Sequence, residues 1–214
     1  MDSLPGIAAS LNAALVSQGQ LTHTSEKVRT FIGDGAEMLV RRALTQACDE
    51  NIFHSVLENF REHYAEHWQD GTVPYAGISE LLTRLRASGD CLAVLSNKPH
   101  PFTMSIVDQL FPQTFSHLVG QRTGIPHKPD PTGLWEILRS PEWTAQQSMI
   151  IGDSIMDLQT AQNAGIDAIA VTWGYHDREA LENLSPTYLV GSVEELMMMI
   201  ASPGSADDLV GIFV

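Results

Sequence analysis

Three polar stretches of this sequence each follow a short apolar run. Ser96-Asn97-Lys98-Pro99 comes after residues 91–95. A hydroxyl, an amide and exposed backbone N–H groups at a strand-to-helix turn make a phosphate cradle; the plainer alternative is a helix cap. Gly152-Asp153-Ser154-Ile155-Met156-Asp157 comes after residues 149–151. With Asp153 at a strand tip, Asp157 lies across the first helical turn from it. Such a pair suits a hard cation such as Mg2+, which takes one or two carboxylates and keeps waters. The alternative is an N-capping Asp153 with a solvated Asp157. Lys128 sits in His127-Lys128-Pro129-Asp130-Pro131. Prolines restrict the backbone on both sides, which aims a lysine that would offset phosphate charge as a point cation, or simply marks a surface loop.

Composition sets limits on what such groups can bind. The 214 residues carry 12 Lys+Arg against 26 Asp+Glu, a net charge of −14. That argues against a nucleic-acid or anionic-membrane surface, which needs a basic face. A small anionic substrate remains open if local cations or a metal overcome the global field. Only Lys27, Lys98 and Lys128 are lysines, and two of them lie in the polar loops above. The length fits one domain, or one with a modest insertion. No stretch reaches the roughly 18 apolar residues of a membrane helix. No secretory leader is legible at the N-terminus. Cys48 and Cys91 are too few for a disulfide framework or a cysteine zinc site. A cytoplasmic protein is the expectation, and oligomeric state is not legible.

The elements that must position these groups change in texture along the chain. Pro5, Ile7, Leu11, Ala14 and Leu15 predict an opening helix, with Asp2 or Ser3 as cap. Residues 25–48 read as helical with a Gly-Asp-Gly break at 33–35. Over 50–69, Ile52, Val56, Phe60, Tyr64 and Trp68 recur every four residues, widened by Phe53 and Leu57. After a break at 74–77 comes a helix to about Ala87. Then strand-like runs at 91–95, 118–120, 149–151, 168–172 and 188–190 alternate with helical segments at 101–110, 131–139, 155–164 and 177–183. Alternation of this kind predicts a parallel sheet covered by helices. Met197–Met199 with Leu196 and Ile200 reads as a core helix, 202–208 as a linker and 209–214 as an apolar end. The resulting fold class is α/β: a core from 1–13 and 74–214, with a helical cap at 14–73.

Taken together, the polar stretches resemble motifs II, III and IV of haloacid-dehalogenase-superfamily hydrolases, in Ser96-Asn97-Lys98-Pro99, Lys128-Pro129-x-Pro131, and Gly152-Asp153-x-x-x-Asp157 with Ala161, Ala164 and Gly165. The phosphoglycolate phosphatase branch is the nearest match. Pro74-Tyr75-x-Gly77, Leu81, Leu85, Gly89 and Leu92-Ala93-Val94 are similar to its run into motif II. Gly33-Asp34-Gly35 with Leu39, Val40, Arg42, Ala43 and Leu44 is similar to its cap signature. The resemblance implies a Rossmann-like parallel sheet with an inserted helical cap, and Mg2+-dependent hydrolysis of a small phosphomonoester through an aspartyl intermediate. It also implies that Asp153 is a metal ligand, and that Asp157 supports the metal shell or Lys128. Lys128, Ser96 and Asn97 would be catalytic, the last two holding phosphate oxygens. Arg42 or the amides around Gly33 and Gly35 would read the substrate's carboxylate.

One departure matters. The family carries Asp-x-Asp-Gly-Thr-Leu-x-Asp-Ser at motif I, whereas this sequence opens Met1-Asp2-Ser3-Leu4-Pro5. The nucleophile, the acid/base aspartate and the first strand are thus expected to be absent. Two strand edges should then be exposed, unless residues 209–214 fill the slot, and Mg2+ binding by Asp153 alone should be weak. Little or no activity is expected, which leaves a non-catalytic phosphate-binding or interaction module as the alternative; a truncation or a misplaced start of an active enzyme accounts for the same observation. Asp70-Gly71-Thr72 copies part of motif I, but Trp68 holds the nucleophile position, so it reads as a turn. His63-Tyr64-Ala65-Glu66-His67 matches a zinc-peptidase spacing, for which an amphipathic helix is the bland account.

Overall fold

In the computed structural model, residues 1–44, 49–141, 143–200 and 210–213 are described. The expected helical residues 45–48 with Cys48, the linker at 202–208, and positions 209 and 214 of the apolar end lie outside them. The chain divides into two compact units, Met1–Tyr75 and Ala76–Val214.

The first unit is helical. It contains α1 (Leu4–Ser17), α2 (Ser25–Arg29), α3 (Gly35–Ala43) and α4 (Glu50–His67), followed by a 3-10 turn at Trp68–Gly71. At the start of α1, Ser3 holds the N-cap position without a side-chain cap bond, and the Leu4 N–H donates to Asp2 Oδ1 at 3.0 Å. The four-residue stripe of α4 is buried at Phe53, Val56, Leu57, Phe60 and Tyr64, with Trp68 just beyond, whereas its charged residues face out. Against it packs α1, through buried Ile7, Leu11, Ala14 and Leu15. The decoy Asp70-Gly71 lies in the 3-10 turn, as a turn reading predicts.

The second unit is a parallel sheet with helices. Its strands are β1 (Leu92–Pro99), β2 (His117–Gln121), β3 (Ser148–Gly152), β4 (Asp167–Val171), β5 (Tyr188–Val190) and β6 (Val210–Phe213). Its helices are α5 (Ile78–Ser88), α6 (His100–Leu110), α7 (Thr132–Leu138), α8 (Ile155–Ala164), α9 (Arg178–Glu182) and α10 (Val193–Ile200). The sheet order is β2-β1-β6-β3-β4-β5, all neighbours parallel. Ala93, Leu95, Leu134, Ile137, Ile150, Leu158, Ala170 and Ile212 form one buried cluster between strands and helices.

The slot that residues 209–214 were expected either to fill or to leave open is filled, because β6 lies between β1 and β3. Phe213 is in register with Val94 on one side and Ile151 on the other. Gly211 and Ile212 are buried, so the central slot is filled by a strand whose backbone groups are paired on both sides. One expectation is corrected, that for Ser96-Asn97-Lys98-Pro99. Instead of a strand-to-helix turn, these residues continue β1 as extended chain to Pro99. Pairing with β2 is irregular between Leu95 and Pro99, where proline supplies no N–H to the ladder. Of α10, Leu196 is fully buried but Met198 is 67% exposed, so only one face of that helix is core.

Candidate active site

At the carboxyl ends of β1 and β3, where the chain leaves the sheet in different directions, several polar groups meet. Lys128 arrives from the loop between β2 and α7. Its Nζ donates to the Leu95 carbonyl at 3.1 Å and to Asp157 Oδ1 at 2.7 Å. Asn97 holds the same loop by its backbone. Its Oδ1 accepts from the Lys128 N–H at 2.8 Å, and its Nδ2 donates to the Lys128 carbonyl at 3.3 Å. A further anchor is Asn163 Nδ2, which donates to the Pro129 carbonyl at 2.8 Å. The lysine is therefore aimed by side chains from β1 and α8, with the prolines shaping the loop between.

Asp157 is an inward-facing group, not a solvated one. It caps α8 reciprocally with Ser154: the Ser154 N–H donates to Asp157 Oδ2 at 3.0 Å, and the Asp157 N–H donates to Ser154 Oγ at 3.3 Å. With Lys128 on the other oxygen, both carboxylate oxygens are engaged. Of the two roles left open for Asp157, support of Lys128 is the one with a bond. The N-cap is Ser154, which corrects the reading of Asp153 as a cap.

Asp153 follows β3 directly. Its Oδ2 accepts from the Tyr175 N–H at 3.2 Å, and its carbonyl accepts from the His176 N–H at 3.2 Å. The Gly174 backbone lies so close that a Cβ there would stand 1.8 Å from Asp153 Oδ2. Burial, and then the neighbouring charge of Asp157, push the Asp153 carboxyl up to about 6, against the pull of Lys128 and the Tyr175 N–H. A carboxylate held in this way gains from a cation beside it. Among the described residues no group of three or more His, Cys, Asp or Glu could hold a metal. Mg2+ nevertheless accepts a single carboxylate when water and phosphate oxygens fill its shell, and Asp153 fits that part.

Ser96 Oγ accepts from the Lys98 N–H at 3.1 Å, which leaves its hydroxyl hydrogen free to donate. Ser96, Asn97 and Lys128 line one cleft with Gly120, Gln121 and Ile125. Gly120 is needed there, since a Cβ would stand 2.6 Å from the His100 Cα and 2.9 Å from the Lys98 carbonyl. In the helical unit, Arg42 Nη1 donates to the Phe31 carbonyl at 2.9 Å and Nη2 pairs with Asp34. Gly33 and Gly35 on either side of Asp34 take positive φ. The backbone cradle of Gly174 and Tyr175 around Asp153 has no signal in the sequence, since a lone Trp-Gly-Tyr after a strand carries no motif. The Ser154-x-x-Asp157 capping box likewise lies outside the expectation, which put the cap on Asp153.

Comparison with known proteins agrees with the geometry. Residues 1–171 match the family of haloacid dehalogenase-like hydrolases. A phosphoglycolate phosphatase of Pseudomonas putida is 33% identical over 99% of this chain and 78% of its own length. Another, from Pectobacterium atrosepticum, is 32% identical over 95% of this chain and 88% of its own. Among solved structures, a predicted phosphoglycolate phosphatase from Haemophilus somnus superimposes with a TM-score of 0.85 at 27% identity, covering 92% of this chain and 91% of its own. The chain belongs to the haloacid dehalogenase-like hydrolases, and by family it is a phosphoric monoester hydrolase.

Proposed function

We propose that this chain is built for Mg2+-dependent hydrolysis of 2-phosphoglycolate to glycolate and phosphate, in the cytoplasm. The observation that carries this reading is the Lys128 amine, bonded to the Leu95 carbonyl and to Asp157 at the carboxyl edge of the sheet. It is a fixed cation in a chain of net charge −14, and an anionic ester needs one. The Ser96 hydroxyl donates to a phosphate oxygen. Asn97 acts through the Lys128 loop, which it braces. Asp153 holds Mg2+, which when bound offsets charge on the transferring phosphoryl group. The helical segment 14–73 serves as cap, with Gly33, Gly35 and Arg42 reading the substrate's carboxylate. The support for the substrate comes from the names of relatives such as that of Pseudomonas putida.

The sequence contains no Asp-x-Asp pair, so these 214 residues supply neither the nucleophile nor the acid/base aspartate that family chemistry uses. A polypeptide of these residues therefore binds phosphate and turns it over little or not at all. That observation also favours the second reading, a phosphate-binding module on the same scaffold. Phosphate release from 2-phosphoglycolate with millimolar Mg2+, measured on homogeneous protein, tests both readings. Release at the background rate bears out the lost turnover and favours the binding module, whereas sustained turnover by this polypeptide favours the hydrolase and overturns the module.

A further inference from the structure

The geometry points to a second metal site, in the helical unit, for a divalent transition ion of the Zn2+ or Cu2+ type held by His63 and His67. The two imidazoles lie one turn apart on α4, with ring centroids 4.4 Å apart. Histidines at i and i+4 share one helix face, the spacing at which a pair supplies two nitrogens to one ion at about 2.0–2.1 Å each.

The bonds on the other side of each ring carry the inference. His67 Nδ1 is 3.0 Å from Asp70 Oδ2. A carboxylate only accepts, so it fixes Nδ1–H and leaves the Nε2 lone pair for a metal. His63 Nδ1 is 3.1 Å from the Oγ of Ser10, a fully buried residue of α1 whose hydroxyl can accept the same proton. Among the described residues neither Nε2 has a partner. Both rings thus have the outer bond that orients metal-binding histidines. No third protein ligand joins them among the described residues. Water fills the remaining positions, and a peptidase centre, which uses three protein ligands, is not formed. Imidazole ligands favour Zn2+ and Cu2+ over Mg2+, so the Asp153 carboxylate does not compete.

The test is calorimetric titration of the full chain with Zn2+, in buffer holding excess Mg2+, beside the His63→Gln, His67→Gln, Asp70→Asn and His54→Gln variants. One Zn2+ should bind. Each of the first two variants should lose at least tenfold in affinity, and Asp70→Asn several-fold, while His54→Gln on the same helix stays unchanged. Histidine 15N resonances give a second readout: Zn2+ should shift Nε2 of His63 and His67 together. Single-histidine variants that bind as tightly as the unaltered chain, or Nε2 resonances that do not move, would overturn the site.

Discussion

Lys128 Nζ and Asp157 Oδ1 stand 2.7 Å apart with 9% and 2% of their side chains exposed. A pair so buried is held by what surrounds it as much as by its own attraction. Removing one partner leaves an uncompensated charge, at a cost of about 3–5 kcal/mol, whereas replacing both with apolar groups costs far less. Lys128→Met should therefore lower the urea midpoint strongly, and Asp157→Leu likewise. The double variant should be more stable than the sum of the two losses. Additive losses would mean that the two groups do not act as a pair.

Asp153 yields a pH prediction. Its carboxyl is raised from 3.8 to about 6 by burial and by Asp157. Between those values the folded chain holds a proton that the unfolded chain has lost. Stability in metal-free buffer should thus be full below about pH 4 for this group and decline as pH rises through 6, by up to about 3 kcal/mol at 1.36 kcal/mol per pH unit. Asp153→Asn should flatten this decline in thermal melts and raise stability at pH 7. Millimolar Mg2+ together with phosphate should stabilise the unaltered chain and not the variant. An identical decline in both proteins would assign it to other groups.

Gly174 is required by contact, since an added Cβ would meet Asp153 Oδ2 at 1.8 Å and its Cβ and Cγ at 2.2 Å. Gly174→Ala must displace Asp153 or the backbone, at about 1–3 kcal/mol. The expected outcome is a lower melting temperature together with loss of the Mg2+ stabilisation just described. A variant that still responds to Mg2+ would show that Asp153 had kept its place.

How much of this was legible depends on the range of the forces involved. Helices α4 and α8 follow from their own apolar spacing and caps, so their limits fell within a few residues of expectation. Strand runs such as 149–151 are apolar and bounded, and they became β3. The extension of β1 through Ser96, Asn97 and Lys98 was not legible, because polar residues before a proline read locally as a turn while the sheet holds them extended. The burial of Asp157 was not legible either: spacing puts it near Asp153, but only packing brings Lys128 to it. The slot between β1 and β3 was foreseen as a place for residues 209–214, and β6 occupies it.

That strand makes a separate prediction. Ile212 is fully buried between the ladders with β1 and β3. Ile212→Ala should cost about 2–5 kcal/mol. Ile212→Pro should unfold the sheet unit, since it also removes a ladder N–H at a central strand. Amide hydrogen exchange should show strong protection at 211–212 in the unaltered chain. Fast exchange there, with normal protection in β3, would place the strand outside the stable core.

Phosphate gripped at the carboxyl edge by Ser96 and Lys128 is what the proposed function requires first. The most direct measurement is a 31P titration of inorganic phosphate with Mg2+ into the full chain and into Ser96→Ala, a variant that leaves the Lys128–Asp157 pair intact. Saturable binding that weakens at least tenfold in Ser96→Ala is the predicted result. Equal binding by both proteins, or none by the unaltered chain, would contradict it.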